Sequence, residues 1–132
     1  MTSKTLITRV EETIESQYNQ VVVAQAHAAL TKGDVVQLDL SDGITEATAN
    51  NDRAFFPAVA VESIALGAEG KFIIGGFVQA KAYDTGISMG EQLEPMANFR
   101  VNGLATQTNG NGFAIALETP TAVAQLIWIK LK

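Results

Sequence analysis

The chain has 132 residues, no cysteine, a single histidine and a formal net charge of −5, with only 17% of its residues charged. That length suits one domain with a core of its own, and the lack of cysteine excludes a disulfide framework and any Cys-based zinc site. The nine basic residues are scattered, which argues against nucleic acid as a partner, and no apolar run reaches the ~20 residues of a membrane helix.

Residues 1–19 differ from the rest and read as an N-terminal arm. Ile7, Val10, Ile14 and Tyr18 fall at helical spacings. Leu6, Val10, Ile14 and Tyr18 also share one parity, as a strand requires, so helix and extended arm both remain open. A short apolar stripe cannot hold an isolated helix or strand in water. The arm is therefore expected to dock.

From Gln20 onward the patterning is β. Val21-Val22-Val23-Ala24 opens a strand, Thr31-Lys32-Gly33-Asp34 is a turn, and Val36, Leu38 and Leu40 alternate with polar neighbours. Ser41-Asp42-Gly43 turns into a strand over 44–48, and 49–53 is a polar loop. The most apolar stretch follows: Ala58–Val61 and Phe72–Val78, joined through Gly67-Ala68-Glu69-Gly70. Strands apolar on both faces are expected to be covered on both sides, one cover being a partner subunit. Gly75-Gly76 inside such a strand predicts a bulge or a closely passing backbone. Beyond a loop at 83–86 and a turn at 88–91, strands are predicted over 92–96 and 101–108, with Pro95 pointing to an edge position. Asn109-Gly110-Asn111-Gly112 is a hairpin-type turn, and Phe113–Leu117 and Leu126–Leu131 complete the chain.

Four pieces recur in the same order about 57 residues apart. Gly33-Asp34-Val35-Val36-Gln37-Leu38 is echoed by Gly90-Glu91-Gln92-Leu93, and Gly43–Thr48 by Gly103–Thr108. Ala58-Val59-Ala60-Val61-Glu62 is echoed by Ala114-Ile115-Ala116-Leu117-Glu118, and Phe72-Ile73-Ile74 by Leu126-Ile127-Trp128. The expected architecture is an all-β domain over 20–132, a compact small β-barrel or sandwich. It is built from two similar halves, 31–82 and 88–131, with the arm outside.

These motifs carry a resemblance. Thr31–Val36, Ala58–Glu62, Phe72–Val78, Ser88–Leu93, Phe113–Glu118 and Ile127–Leu131 resemble the capsid decoration (cement) proteins of tailed bacteriophages, over roughly residues 20–132. The resemblance rests on turn and strand patterns and not on a catalytic signature. It implies a compact β domain, often trimeric, on the outer surface of the head. Such a domain bridges neighbouring major capsid proteins and holds the shell against internal pressure. The arm is longer than the family's lead-in.

Chemistry-bearing residues are few. His27 lacks any nucleophile-elbow motif around it. Asp34, Asp39 and Asp42 do not follow the EF-hand spacing. Gly110-Asn111-Gly112 has no phosphate-loop Lys after it. Glu62 and Glu118 could form a glycosidase pair but read more simply as strand-end carboxylates. No catalytic, cofactor or metal residue is assigned, and no enzyme activity is expected.

The expected function is that of a virion structural protein on the capsid's outer surface, with the major capsid protein and further copies of itself, as a trimer, for partners. Leu6, Ile7, Val10, Ile14 and Tyr18 are the candidate capsid-binding arm; Phe72, Ile74, Phe77 and Trp128 are the candidate oligomer interface. Nucleic acid and membrane are not expected as partners. The alternative is a small ligand- or carbohydrate-binding β module, associated with a head fibre or tail, using Trp128 or Tyr83. A small enzyme is the third reading.

Overall fold

The computed structural model describes residues 19–39, 46–49, 57–96, 98–103 and 112–132. Among them there are nine strands: β1 (Gln20–Ala26), β2 (Val35–Asp39), β3 (Glu46–Ala49), β4 (Pro57–Ala60), β5 (Glu69–Lys81), β6 (Gln92–Met96), β7 (Arg100–Gly103), β8 (Ala114–Ala116) and β9 (Leu126–Leu131). The fold is all-β, as expected, and the arm residues up to Tyr18 lie outside the described residues.

The 13-residue β5 organises the sheet. Its first half lies between β4 and β1, and its second half pairs with β9. On the first side the order β1-β3-β2-β4-β5 closes on itself, because β1 is antiparallel to β5 and parallel to β3. On the second side β5 is followed by β9, β8, β6 and β7. A single parallel bridge between Ala82 and Val101 brings the ends of that order together. The molecule is thus two five-stranded barrels that share one long strand.

The two units agree residue by residue. Val36 faces Ala58 across β2–β4 as Leu93 faces Ala114 across β6–β8. Ala60 faces Phe72 as Ala116 faces Ile129. Val22 faces Phe72 as Val78 faces Ile129, and Ala26 bridges Ala47 as Ala82 bridges Val101. Turn hydrogen bonds repeat as well. The N–H of Asp34 donates to the Thr31 carbonyl, and that of Glu91 to Ser88, each at 3.1 Å. Each carboxylate then accepts the N–H of the residue three before it, at 2.8 Å in both turns.

This register sharpens the sequence echo and moves parts of it. Phe72 is equivalent to Ile129, not to Leu126, and Glu46-Ala47-Thr48 to Arg100-Val101-Asn102, not to Thr106-Gln107-Thr108. Apolar strand residues are interchangeable in composition, so likeness alone does not fix register, whereas a three-residue slip puts every side chain on the wrong face. The unit also begins earlier than Thr31. β1 does for the first barrel what residues 76–81 do for the second, so the boundary between the halves falls inside β5 and not between Ala82 and Ser88.

Small residues make barrels of this size possible. Ala24, Ala26, Ala58 and Ala60 line the first interior, where Leu30, Val36, Leu38, Ile64 and Phe72 supply the volume. Ala80, Ala82, Ala114 and Ala116 repeat the pattern around Ile87, Leu93, Ile127 and Ile129. A narrow barrel is filled when small positions on some strands face large ones on others. Val35, Val59 and Ile73 have the opposite parity and point out of the first barrel, yet are at most 1% exposed and belong to the core cluster of the second. The cover expected from a partner subunit is therefore supplied by the chain itself.

Of two local expectations, the bulge at Gly75-Gly76 holds and the edge position of Pro95 does not. Gly75 lies opposite Gln20, where the β1–β5 register shifts, and Gly76 has φ 103°, so the irregularity falls where β5 passes from one barrel to the other. Pro95 is not on an edge strand, because β6 is flanked by β7 and β8. β8 pairs only with Gln92 and Leu93, so no ladder N–H is needed from Pro95 on that side.

Candidate functional site

The seam between the barrels has its own polar lock. Asp34 is only 5% exposed. Its Oδ1 lies 2.6 Å from Lys81 Nζ, and the same ammonium donates to the Thr31 hydroxyl. The Lys81 N–H donates to the Gly33 carbonyl at 3.0 Å, and the Val35 N–H to the Phe99 carbonyl at 2.9 Å. Gly33 has φ 90°, a conformation that favours glycine, and a Cβ there would meet Leu126 Cδ2 at 2.2 Å. Phe99 has φ 61°, after Asn98 at 65°, a costly conformation for a bulky residue. The strain accompanies a carbonyl aimed across the seam at Val35.

The candidate interface residues do not act together. Phe72 is fully buried inside the first barrel, so it is a core residue and not part of an outer interface. Parity alone could not tell which face of β5 turns inward. Ile74 is half-buried against that same core. Phe77 and Trp128 do lie on one outer face, Phe77 opposite Lys130 and Trp128 opposite Gln79, and both are half-buried. Tyr83 is also half-buried, and its N–H donates to the Val101 carbonyl at 2.7 Å. Leu6, Ile7, Val10, Ile14 and Tyr18 lie outside the described residues. The chain enters β1 beside mid-β5, where the Asn19 side-chain amide donates to the Phe77 carbonyl at 2.6 Å and accepts its N–H at 2.7 Å.

The other singled-out residues have structural places. His27 is exposed. Glu62 accepts the Lys71 N–H at 3.2 Å and Glu118 the Trp128 N–H at 3.0 Å, so each holds the start of a returning strand. Gly112 donates its N–H to the Gln92 side chain at 3.2 Å. Asp42, Gly110 and Asn111 lie outside the described residues. Among the described residues no three His, Asp or Glu side chains converge as a metal site would require.

What the described surface offers is apolar contact. Val21 and Val23 on β1 are 46% and 58% exposed, and Leu66, Met89, Leu117 and Val123 on loops are 36–70% exposed. Leu66 and Val123 occupy equivalent positions in the β4–β5 and β8–β9 turns. None of these six was singled out from the sequence. The available signal was Val21-Val22-Val23, a β-branched run with an apolar residue on each face.

No protein-family model matches the chain, and no curated protein matches it in sequence. Among solved structures it is similar to the N base of the head fiber protein gp8.5 of bacteriophage phi29. The similarity has a TM-score of 0.65 at 19% identity and covers 86% of this chain and 93% of that one.

Proposed function

We infer that this chain is a structural protein of a bacteriophage virion, mounted on the outer surface of the head. It attaches by multivalent protein contacts, without catalysis. The observation that carries the reading is the shared fold with a phage head-fiber base over 93% of that base. The exposed valines and loop apolar residues supply surface suited to such contacts. In the first form of the reading the protein is a decoration protein, a trimer bridging major capsid proteins. Three modest contacts from one trimer gain avidity through effective concentration, and each footprint needs only about the 1,600 Å² of a standard interface.

The kind of protein the neighbour is favours a second form, in which the chain is a base that carries an appendage and leaves shell strength unchanged. Co-sedimentation of the full chain with undecorated heads tests both forms together. Failure to bind heads of any permissive phage overturns the virion reading. Heads that bind the protein and then resist heat-induced rupture support decoration; heads that bind it with unchanged rupture temperature support the base. Deleting residues 1–17 is expected to weaken head binding while leaving the β domain folded. Unchanged affinity would move attachment onto the barrels.

A further inference from the structure

β1 is the strand through which the arm joins the domain, and Asn19 guards its entry. The Asn19 side-chain amide donates to the Phe77 carbonyl at 2.6 Å and accepts the Phe77 N–H at 2.7 Å. A side chain thus does the work of one more backbone pair, just beyond the register shift at Gln20. From there β1 runs antiparallel to β5 through six register pairs, from Gln20 opposite Gly75 to Gln25 opposite Glu69. The far end is closed too. The Ala26 N–H donates to the Ala68 carbonyl at 2.9 Å, and the Gly67 N–H to the Ala26 carbonyl at 2.8 Å.

This geometry decides how β1 meets a pull. Ladder bonds of an antiparallel pair lie across the strands, so tension along β1 strains the clamp and the ladder together. Tension across the pair instead breaks the bonds one after another from the Asn19 end. Sliding is blocked as well. A shift of one residue would turn Ala24 and Ala26, buried in the first barrel, to the outside and bring Gln25 into an apolar interior.

The tension reaches β5 at its middle. Gln20 lies opposite Gly75, and Leu131 of β9 opposite Gly76, so a pull enters where one barrel passes into the other. Phe77, gripped by Asn19, is itself the register partner of Lys130 on β9. In the second barrel the strand equivalent to β1 is residues 76–81 of β5, continuous with the residues before it. No clamp is needed there.

We propose that Asn19 and β1 form a mechanical anchor for the N-terminal arm. A pull on the residues before Asn19 is resisted in shear by the Asn19–Phe77 clamp and the β1–β5 ladder at once, and passes through β5 into both barrels. The device rests on the arm's attachment to the head in the proposed function. A domain tethered by an arm stays in place under force only as long as the joint survives, and forced rupture is governed by the rate of opening and not by equilibrium stability.

The chain has no cysteine, so handles for single-molecule pulling can be placed freely on the full-length protein. Ser3→Cys, in the arm, is combined with Glu69→Cys at the start of β5 or with Lys130→Cys opposite Phe77; Glu69 and Lys130 are both exposed. The first combination draws β1 along its length against β5, and the second draws it sideways from the Asn19 end. Rupture in the Glu69 geometry is expected at severalfold higher force. Asn19→Ala is expected to lower that force, whereas Glu118→Ala, which removes a hydrogen bond to Trp128 in the second barrel, is expected to leave it unchanged. Urea denaturation of the two variants is expected to show similar small losses, so that the difference between them is mechanical. Equal forces in the two geometries, no effect of Asn19→Ala, or an equal drop with Glu118→Ala would each overturn the anchor. No head enters the measurement, so its failure is distinct from a failure of head binding in co-sedimentation.

Discussion

Lys81, the last residue of β5, reaches back to Asp34 in the turn before β2, with 2.6 Å between Nζ and Oδ1. The pair ties the end of the strand shared by both barrels to the entry of the first. Thr31 donates its N–H to the other carboxylate oxygen at 2.8 Å, so the carboxylate is held from two sides. Lys81→Met removes the cation and leaves a nearly buried carboxylate with, among the described residues, only the N–H and, at 3.4 Å, the hydroxyl of Thr31 as hydrogen-bond partners. Breaking buried pairs costs 3–5 kcal/mol, and the partial exposure of the lysine lowers the expected loss to about 2–3 kcal/mol. Urea denaturation checks this, with Asp34→Asn in the Lys81→Met background recovering part of the loss.

Gly67 and Ala124 occupy the same place in equivalent turns, with φ of 84° and 62°. The Gly67 N–H donates to the Ala26 carbonyl at 2.8 Å and the Ala124 N–H to the Ala82 carbonyl at 2.9 Å. The left-handed conformation costs a residue with a Cβ about 1 kcal/mol. Gly67→Ala is expected to destabilise by about that amount through conformation alone, since no atom lies within 4 Å of the added carbon. Ala124→Gly is expected to move the denaturation midpoint the other way.

Glu62 and Glu118 each accept one strand-start N–H. Replacing either by Ala is expected to cost about 0.5–1.5 kcal/mol, the net worth of such a bond, and replacing either by Gln much less, because the amide oxygen still accepts. The sites are in different barrels, so the double Ala variant is expected to show the sum. A thermal-melting series with all the single and double variants reads this out.

Gly70 is the first-barrel counterpart of the buried Ile127. A Cβ on Gly70 would fall 2.2 Å from Ile64 Cδ1 and 2.4 Å from its Cγ1, so Ile64 fills the volume that Ile127 fills for itself in the second barrel. Gly70→Ala is expected to cost about 1–3 kcal/mol by overpacking. Ile64→Val in the same chain is expected to restore part of it. Losses that simply add in the double variant would show that the two residues do not share that space.

Much of the fold was legible in the chain because strand patterning is local. Ala58-Val59-Ala60-Val61-Glu62 and Ala114-Ile115-Ala116-Leu117-Glu118 specify alternate small and branched residues ended by a carboxylate. The structure uses both as barrel strands whose glutamates perform the same task. The role of β1 was harder to read, since Val21-Val22-Val23-Ala24-Gln25-Ala26 and Phe77-Val78-Gln79-Ala80-Lys81-Ala82 share only one valine and two alanines. Those are the three inward positions, Val22 with Val78, Ala24 with Ala80 and Ala26 with Ala82; the outward residues are free to differ.

The amino-acid sequence by itself determined an all-β chain, the positions of most turns, the existence of two related halves and the scarcity of catalytic side chains, because turn chemistry and period-two alternation act over a few residues. Only the tertiary structure decided that Phe72 points into a barrel while Ile73 points into the seam. It also decided that the units divide within β5, and that Val35, Val59 and Ile73 are covered while Ile115 and Lys130, the counterparts of Val59 and Ile73, are half-buried and exposed. Alternation states which residues share a face. What covers that face depends on strands more than fifty residues away, brought there by ring closure and by the path of β5 through both barrels.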